Sequence, residues 1–262
     1  MSQSDNVFRV FIGYDERQAV SYTALQHSIL ETASQPVSVT PLILNTLPIT
    51  RRGLTPFTFS RFLVPWLCGY EGHALFLDAD MFLVSDICEM TRYFNEDHAI
   101  SVVRSIAQFE QSSVMLFNNA HPKNRTLTPD FIQNTEGNLH SLCWLNDHDI
   151  GEMDGKWNQL VGYQDCQGKT GNLHFTMGVP AFPETSTSEF GQIWTDCAKR
   201  AIGVTKSWGE IMGPSVHSVQ INGHCFPRYV WDEKSEIINP RHSDMVWNLL
   251  SPLDIAAKRC VA

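Results

Sequence analysis

The chain has no long apolar run. None of its segments reaches the roughly 18 residues of a membrane-spanning helix, and Met1 to Phe8 is polar where a secretory leader would be basic and then apolar. It also has no CxxC pair: Cys68, Cys88, Cys143, Cys166, Cys197, Cys225 and Cys260 are scattered and odd in number, which is the pattern of reduced thiols. Positive charge is in short supply, with 19 Lys and Arg against 28 Asp and Glu. The resulting net charge of −9 argues against a general binder of nucleic acid or anionic membrane, so any phosphate must be held by a local device. Internal repeats, low-complexity tracts and linkers are missing too. Together these absences lead to the expectation of a cytoplasmic protein without a transmembrane segment or a nucleic-acid partner. The 43% of hydrophobic residues in 262 suffice for one substantial core, expected as a single domain over 1–262.

What is present reads as α/β. Val7 to Gly13 is short, apolar and closed by glycine, and Tyr22, Leu25, Ile29 and Ala33 then share one helical face. A β-rich stretch from Val37 to Leu44 follows Pro36, so the first 45 residues predict a β-α-β unit and a mostly parallel sheet. Residues 45–60 read as a loop, and Ser60 to Cys68 as a helical segment interrupted at Pro65. Further strands are predicted at Ala74 to Leu77, Ala99 to Val103, Val114 to Phe117 and Leu173 to Thr176. Thr128-Pro129 announces a helix start. A second helix is expected after Thr187-Ser188, with Phe190, Ile193, Trp194, Cys197 and Ala201 on one stripe and Gly203 as its stop.

The most informative segment is Leu77-Asp78-Ala79-Asp80, where two acids follow directly on an apolar strand. Like charges at the end of a buried strand need a counter-ion, and ligands of α/β sheets gather at the carboxyl ends of the strands. A divalent cation satisfies both acids, and magnesium or manganese held by carboxylates and completed by phosphate oxygens is the usual arrangement for diphosphate chemistry. The bare D-x-D also suits two acids that cap a turn.

The context extends the pattern: Met81-Phe82-Leu83-Val84 and then Ser85-Asp86-Ile87 follow the acids. This block resembles glycosyltransferase family 8 and the glycogenin-like sequences, nucleotide-sugar enzymes of the GT-A fold. The resemblance implies one Rossmann-like, mostly parallel sheet flanked by helices, with residues 1–120 as the donor half and 121–262 as the acceptor half. It implies a hexosyltransferase that moves a sugar from a UDP-sugar to the hydroxyl of a glycan or other acceptor, with retention. Asp78, Ala79 and Asp80 would hold metal and donor, and His174, in Leu173-His174-Phe175-Thr176-Met177-Gly178, would be the third metal ligand. A histidine beside two carboxylates favours Mn2+, with Mg2+ as the alternative ion. Phe11, Gly13, Tyr14 and Asp15 stand where the first strand meets the nucleotide base, Tyr14 as a stacking ring or an ordinary turn aromatic and Asp15 as a contact or a helix cap. Arg61 stands where a basic residue reaches the donor. Gln111-Ser112-Ser113 stands at the donor sugar, with Ser113 in place of the usual glycine. Asp147 or Asp149 stands beside the anomeric carbon, where Gln111 is a further candidate for stabilising positive charge. Trp157 and Asn158 would form the pocket floor, although packing alone also explains Trp157. Gly178 lies one residue later than the pattern. Beyond residue 205 the resemblance ends, and Trp208, His217, His224, Arg228, Tyr229 and Trp231 are candidates for an acceptor groove or for core packing.

Three other readings compete. A haloacid-dehalogenase-like phosphohydrolase places its acids after the first strand with Thr or Val four residues beyond the nucleophile; here that place is Phe82 and a β-α-β unit comes earlier. A sugar nucleotidyltransferase carries a Gly-rich basic loop after its first strand, which Gly13-Tyr14-Asp15-Glu16-Arg17 is not. A non-catalytic nucleotide-sugar-binding module would share the fold and only bind.

Overall fold

Alternation of apolar strands with turn residues builds two sheets in the N-terminal part of the chain, and the D-x-D segment links a strand of one to a strand of the other. The computed structural model describes residues 7–104, 108–163 and 170–203, apart from the side chains of 108 and 109, together with the backbone of four short strands after 217. The chain forms two compact units, 1–202 and 203–262. Within the second unit, Ser218–Ile221 pairs antiparallel with His224–Pro227, and Val230–Trp231 with Ile237–Ile238. The side chains of the aromatic, histidine and arginine candidates beyond residue 205 lie outside the described residues.

In the first unit, β1 (Phe8–Gly13) leads through α1 (Ala19–Thr32) to β2 (Val37–Leu42), which lies parallel beside β1. This is the expected β-α-β unit. Helical turns α2 (Phe57–Ser60) and α3 (Val64–Leu67) flank a 3-10 turn at Arg61–Leu63, with Pro65 tolerated in the first turn of α3, where its missing N–H is not needed. β3 (His73–Leu77) pairs parallel with β1. After the acids the chain turns into β4 (Met81–Leu83) and continues through β5 (Ile100–Val102), α4 (Gln108–Gln111), β6 (Val114–Asn118), α5 (Pro129–Asn134) and β7 (Ile150–Glu152). The hydroxyl of Thr128 accepts the Phe131 N–H and caps α5 as its sequence predicts. The central sheet runs β2-β1-β3-β6-β5-β7, with β6 alone antiparallel to its neighbours, so it is mostly parallel.

β8 (Gln159–Leu160) and β9 (Asn172–His174) join β4 in a second sheet of order β4-β9-β8. That sheet packs on α1 and α6 (Gly191–Ala201) through Phe82, Leu173, Phe175, Trp194, Cys197 and Ala24. Of the stripe predicted for α6, Trp194 and Cys197 are buried, joined by Ala198, whereas Ile193 is exposed; Phe190 precedes the helix in the left-handed conformation in place of a Ser cap. The larger core lies on the central sheet, where Val10, Ile12, Leu75, Leu77, Val114 and Phe117 are fully buried. Among the described residues Cys88, Cys143 and Cys197 are free thiols, and no helix is long and apolar enough to cross a membrane.

Candidate functional site

Two pairings bring the site together. Because β6 runs antiparallel to β3, Leu77 stands opposite Val114 and residues 110–113 arrive beside the acids, where the Asp78 N–H donates to Ser113 O at 3.0 Å. Because β4 begins directly after Asp80 and pairs antiparallel with β9, Met81 stands opposite His174. The Phe175 N–H donates to Asp80 O at 2.9 Å and fixes that crossing. One potential ligand atom each from Asp78, Asp80 and His174 then lies within 4.8 Å of the others.

The cluster is charged and largely dry. His174 is 2% exposed, with Nε2 3.3 Å from Asp80 Oδ1 and Nδ1 3.5 Å from Glu110 Oε2. Burial raises the pKa of Asp78 and of Glu110, with the Asp80 charge adding to both. Burial opposes protonation of His174, yet the carboxylates of Asp80, Asp78 and Glu110 outweigh it and raise its pKa. The buried Oδ1 of Asp80 and Oε2 of Glu110 accept no hydrogen bond. A group of carboxylates that draws protons and leaves buried oxygens unsatisfied suits a divalent cation, which would supply the missing positive charge. The residues present therefore fit a metal.

Arg61 does not project toward a donor. It is 3% exposed and committed to its own protein: Nε donates to Phe57 O at 3.3 Å, and Nη1 donates to Ser112 O at 2.9 Å and to Asp78 Oδ2 at 3.3 Å. Nη2 lies 2.8 Å from Asp78 Oδ1, and the guanidinium sits over the Phe76 ring at 4.9 Å. Its neutralising effect falls on Asp78. Ser112 is fully buried and meets His140 Nδ1 through its hydroxyl at 2.8 Å. The pKa of His140 drops to about 4 through burial, with Arg61 and Arg51 adding to the effect.

The remaining sequence candidates separate. Gln111 ends α4 on the same sheet edge as the acids, half-buried, with Nε2 donating to His140 O at 3.4 Å. Ala79 is buried in the turn between the acids. Phe11 packs in the core, and a Cβ on Gly13 would meet the Phe57 ring at 2.4 Å, so that glycine is required by packing. Tyr14 lies edge-on to Tyr22 at 5.6 Å, and Asp15 caps the turn that precedes α1 while it grips Arg17 at 2.6 Å. Trp157 is fully buried with Gly171 against its ring, the packing role. Gly178 takes φ +114, a left-handed value that favours glycine, in the turn its N–H closes onto Phe175 O.

Asp147 and Asp149 are not brought to the cluster. They precede β7, whose first residue stands opposite Ile100 at the start of β5, so they lie at the end of the sheet away from Asp78. Asp147 is 87% exposed and pairs with Arg104 at 2.7 Å, while Asp149 accepts the Asn146 N–H at 2.8 Å as part of a capping box. The strand order thus leaves both acids outside the group formed by Asp78, Asp80 and His174. The residue that sequence reasoning missed is Glu110: its neighbour Gln111 was marked, but α4 turns Glu110 inward toward His174.

A second cluster among the described residues, His27, Glu31 and Cys197, has ligand chemistry as well. There both Glu31 oxygens already accept from Arg200 at 2.8 Å, and that guanidinium opposes a dication.

No protein-family model matches the chain. It is 33% identical over 226 residues to Protein CDI of Arabidopsis thaliana, which covers 74% of this chain and 86% of that protein. Among solved structures it resembles the bifunctional glycosyltransferase WbbM in its apo form, with TM-score 0.54, 16% identity and 74% of this chain aligned. It also resembles the galactosyltransferase LgtC, solved with donor and acceptor sugar analogues, with TM-score 0.54, 10% identity and 74% of this chain aligned. The chain spans 50% of WbbM and 96% of LgtC. The fold is that of the GT-A glycosyltransferases, as its sequence resemblance implies.

Two outcomes follow from the charge pairs. Arg61→Leu strands a buried carboxylate and is expected to lower unfolding free energy by about 3–5 kcal/mol, most of it recovered in Arg61→Leu/Asp78→Leu, as read by urea denaturation. A double variant no more stable than the single one would contradict that pairing. His140, with its folded pKa below the ordinary 6.5, stabilises the fold above pH 6.5 and loses that contribution as pH falls toward 4. Between pH 7 and 5 the protein should lose about 1–2 kcal/mol through this residue, a loss that His140→Gln abolishes in melts at the two pH values.

Proposed function

We propose that this chain, which belongs to the same family as Protein CDI of Arabidopsis thaliana, is a metal-dependent glycosyltransferase that moves a sugar from a UDP-sugar donor to an acceptor hydroxyl. One observation carries the reading: Asp78, Asp80 and His174 converge within ligand distance at the carboxyl edge of a GT-A sheet, with a buried Asp80 oxygen that accepts no hydrogen bond. Asp78, Asp80 and His174 would hold the ion, and the imidazole among them favours manganese over magnesium. When bound, the ion supplies positive charge to a diphosphate leaving group.

In the reaction the bond from the anomeric carbon to a phosphate oxygen breaks and a bond from the acceptor oxygen forms. The acceptor's proton leaves with the released nucleoside diphosphate or to solvent. Retention is the course implied by the sequence resemblance. Arg61 opposes protonation of Asp78 and holds it in place. Gln111 lies on the same edge, and its amide oxygen has the chemistry to stabilise an oxocarbenium-like centre. Tyr14, Ser112 and the turn at Gly178 would frame the donor. Asp78, Arg61 and Gln111 come from the donor half at 1–120, whereas His174 and Asn158 come from 121–262, the half we assign to the acceptor. Neither a phosphohydrolase nor a nucleotidyltransferase is favoured by the structural likenesses above, and intact site acids speak for catalysis over mere binding.

A thermal-shift panel of UDP-, GDP- and CMP-sugars, each with and without Mn2+, tests the assignment. A UDP-sugar with Mn2+ at 100 times its Kd should stabilise the protein by about 2.7 kcal/mol, a shift of several degrees, and Asp80→Asn should remove it. Failure of every nucleotide-sugar to respond with metal present would overturn the reading.

A further inference from the structure

The hydrogen bonds around His174 assign its two nitrogens different jobs. Asn158 is buried, and its Oδ1 lies 2.8 Å from His174 Nδ1. The same side-chain amide donates from Nδ2 to Glu110 O at 2.9 Å. A carbonyl oxygen only accepts, so the Nδ2 end of Asn158 must face Glu110 and the Oδ1 end must face the imidazole. Oδ1 can only accept as well, which puts the proton of the neutral ring on Nδ1 and the free electron pair on Nε2. Nε2 is the nitrogen 3.3 Å from Asp80 Oδ1, on the metal-ligand side of the cluster. Glu110 Oε2, 3.5 Å from Nδ1, adds a negative charge behind the ring on the side away from Asp80.

We infer that Asn158 is a positioning residue of the metal site: held by the Glu110 backbone, it fixes the His174 tautomer that turns the Nε2 electron pair toward a cation, with the Glu110 carboxylate strengthening the ring as a donor. The inference rests on the metal reading of Asp78, Asp80 and His174. It gives Asn158 a role distinct from the pocket floor, since its polar atoms are spent on His174 and Glu110. The chain achieves the arrangement locally: Asn158 closes the 3-10 turn Gly155–Trp157 directly before β8, and β8 pairs with β9, which carries His174.

Mn2+ affinity, measured by electron paramagnetic resonance of the free ion in protein titrations, tests this without any turnover. Asn158→Asp keeps an acceptor at Nδ1–H and should bind Mn2+ at least as tightly as wild type, although it loses the donor to Glu110 O. Asn158→Leu removes the acceptor and should weaken binding by roughly 10–100-fold. Asn158→Ala takes its place if melts in EDTA show the leucine variant unfolded. Equal Mn2+ affinity in wild type and in the folded leucine or alanine variant, with Asp80→Asn inactive in binding, would overturn the positioning role and leave the metal site standing. A wild-type protein that binds no Mn2+ would overturn both.

Discussion

Everything at this site follows from carboxylates forced together in a space that water scarcely reaches. Asp78, Asp80 and Glu110 surround one imidazole, and Arg61, the guanidinium committed to Asp78, offsets part of their charge. Desolvation penalises each ionised acid and proximity penalises them again, which raises the pKa of Asp78 and Glu110, while the carboxylate charges overcome burial to raise that of His174. A purely structural cluster of this kind would be a liability, since apolar residues of the same volume fill a core as well or better. The arrangement makes physical sense as a seat for a cation.

Topology makes that crowding unavoidable. One reversed strand, β6, carries residues 110–113 to the carboxyl edge of β3, and one short strand, β4, leaves the acids to pair with β9. Both crossings are pinned by backbone hydrogen bonds to the D-x-D segment itself, from Asp78 N–H to Ser113 O and from Phe175 N–H to Asp80 O. Side chains of opposite halves of the first unit are thus held by the most rigid connections available, with Trp157 and Phe175 packed beneath them. Placement of His174 within a strand, and of both acids in a short turn held between two strands, is what a preorganised centre needs.

Much of this was legible in the sequence, and the reasons differ by residue. Strong apolar runs closed by glycine, acids or asparagines marked β1, β3 and β6 nearly to the residue, and Asp78 and Asp80 were conspicuous because two charges ended such a run. His174 was reached through its motif company. The place of Asp147 and Asp149 was not legible because a one-dimensional pattern carries no strand order, and only the pairing of β7 with β5 shows at which end of the sheet they fall. Arg61 was conspicuous as a lone cation among apolar residues, but whether a guanidinium faces a ligand or a neighbouring carboxylate depends on a contact 17 positions away in the chain. Glu110 and the grip of Asn158 on His174 have no sequence signature, since both arise from contacts between distant segments and α4 sits next to a stretch of weak patterning.

The most direct measurement is an anomalous difference map from crystals of the protein soaked with Mn2+ and UDP. A single strong peak bounded by Asp78, Asp80 and His174 Nε2, with diphosphate oxygens completing its shell, is the expected result. A map with nucleotide bound but no peak among those three side chains, or with the ion seated elsewhere, would contradict the idea that their shared charge exists to hold a metal.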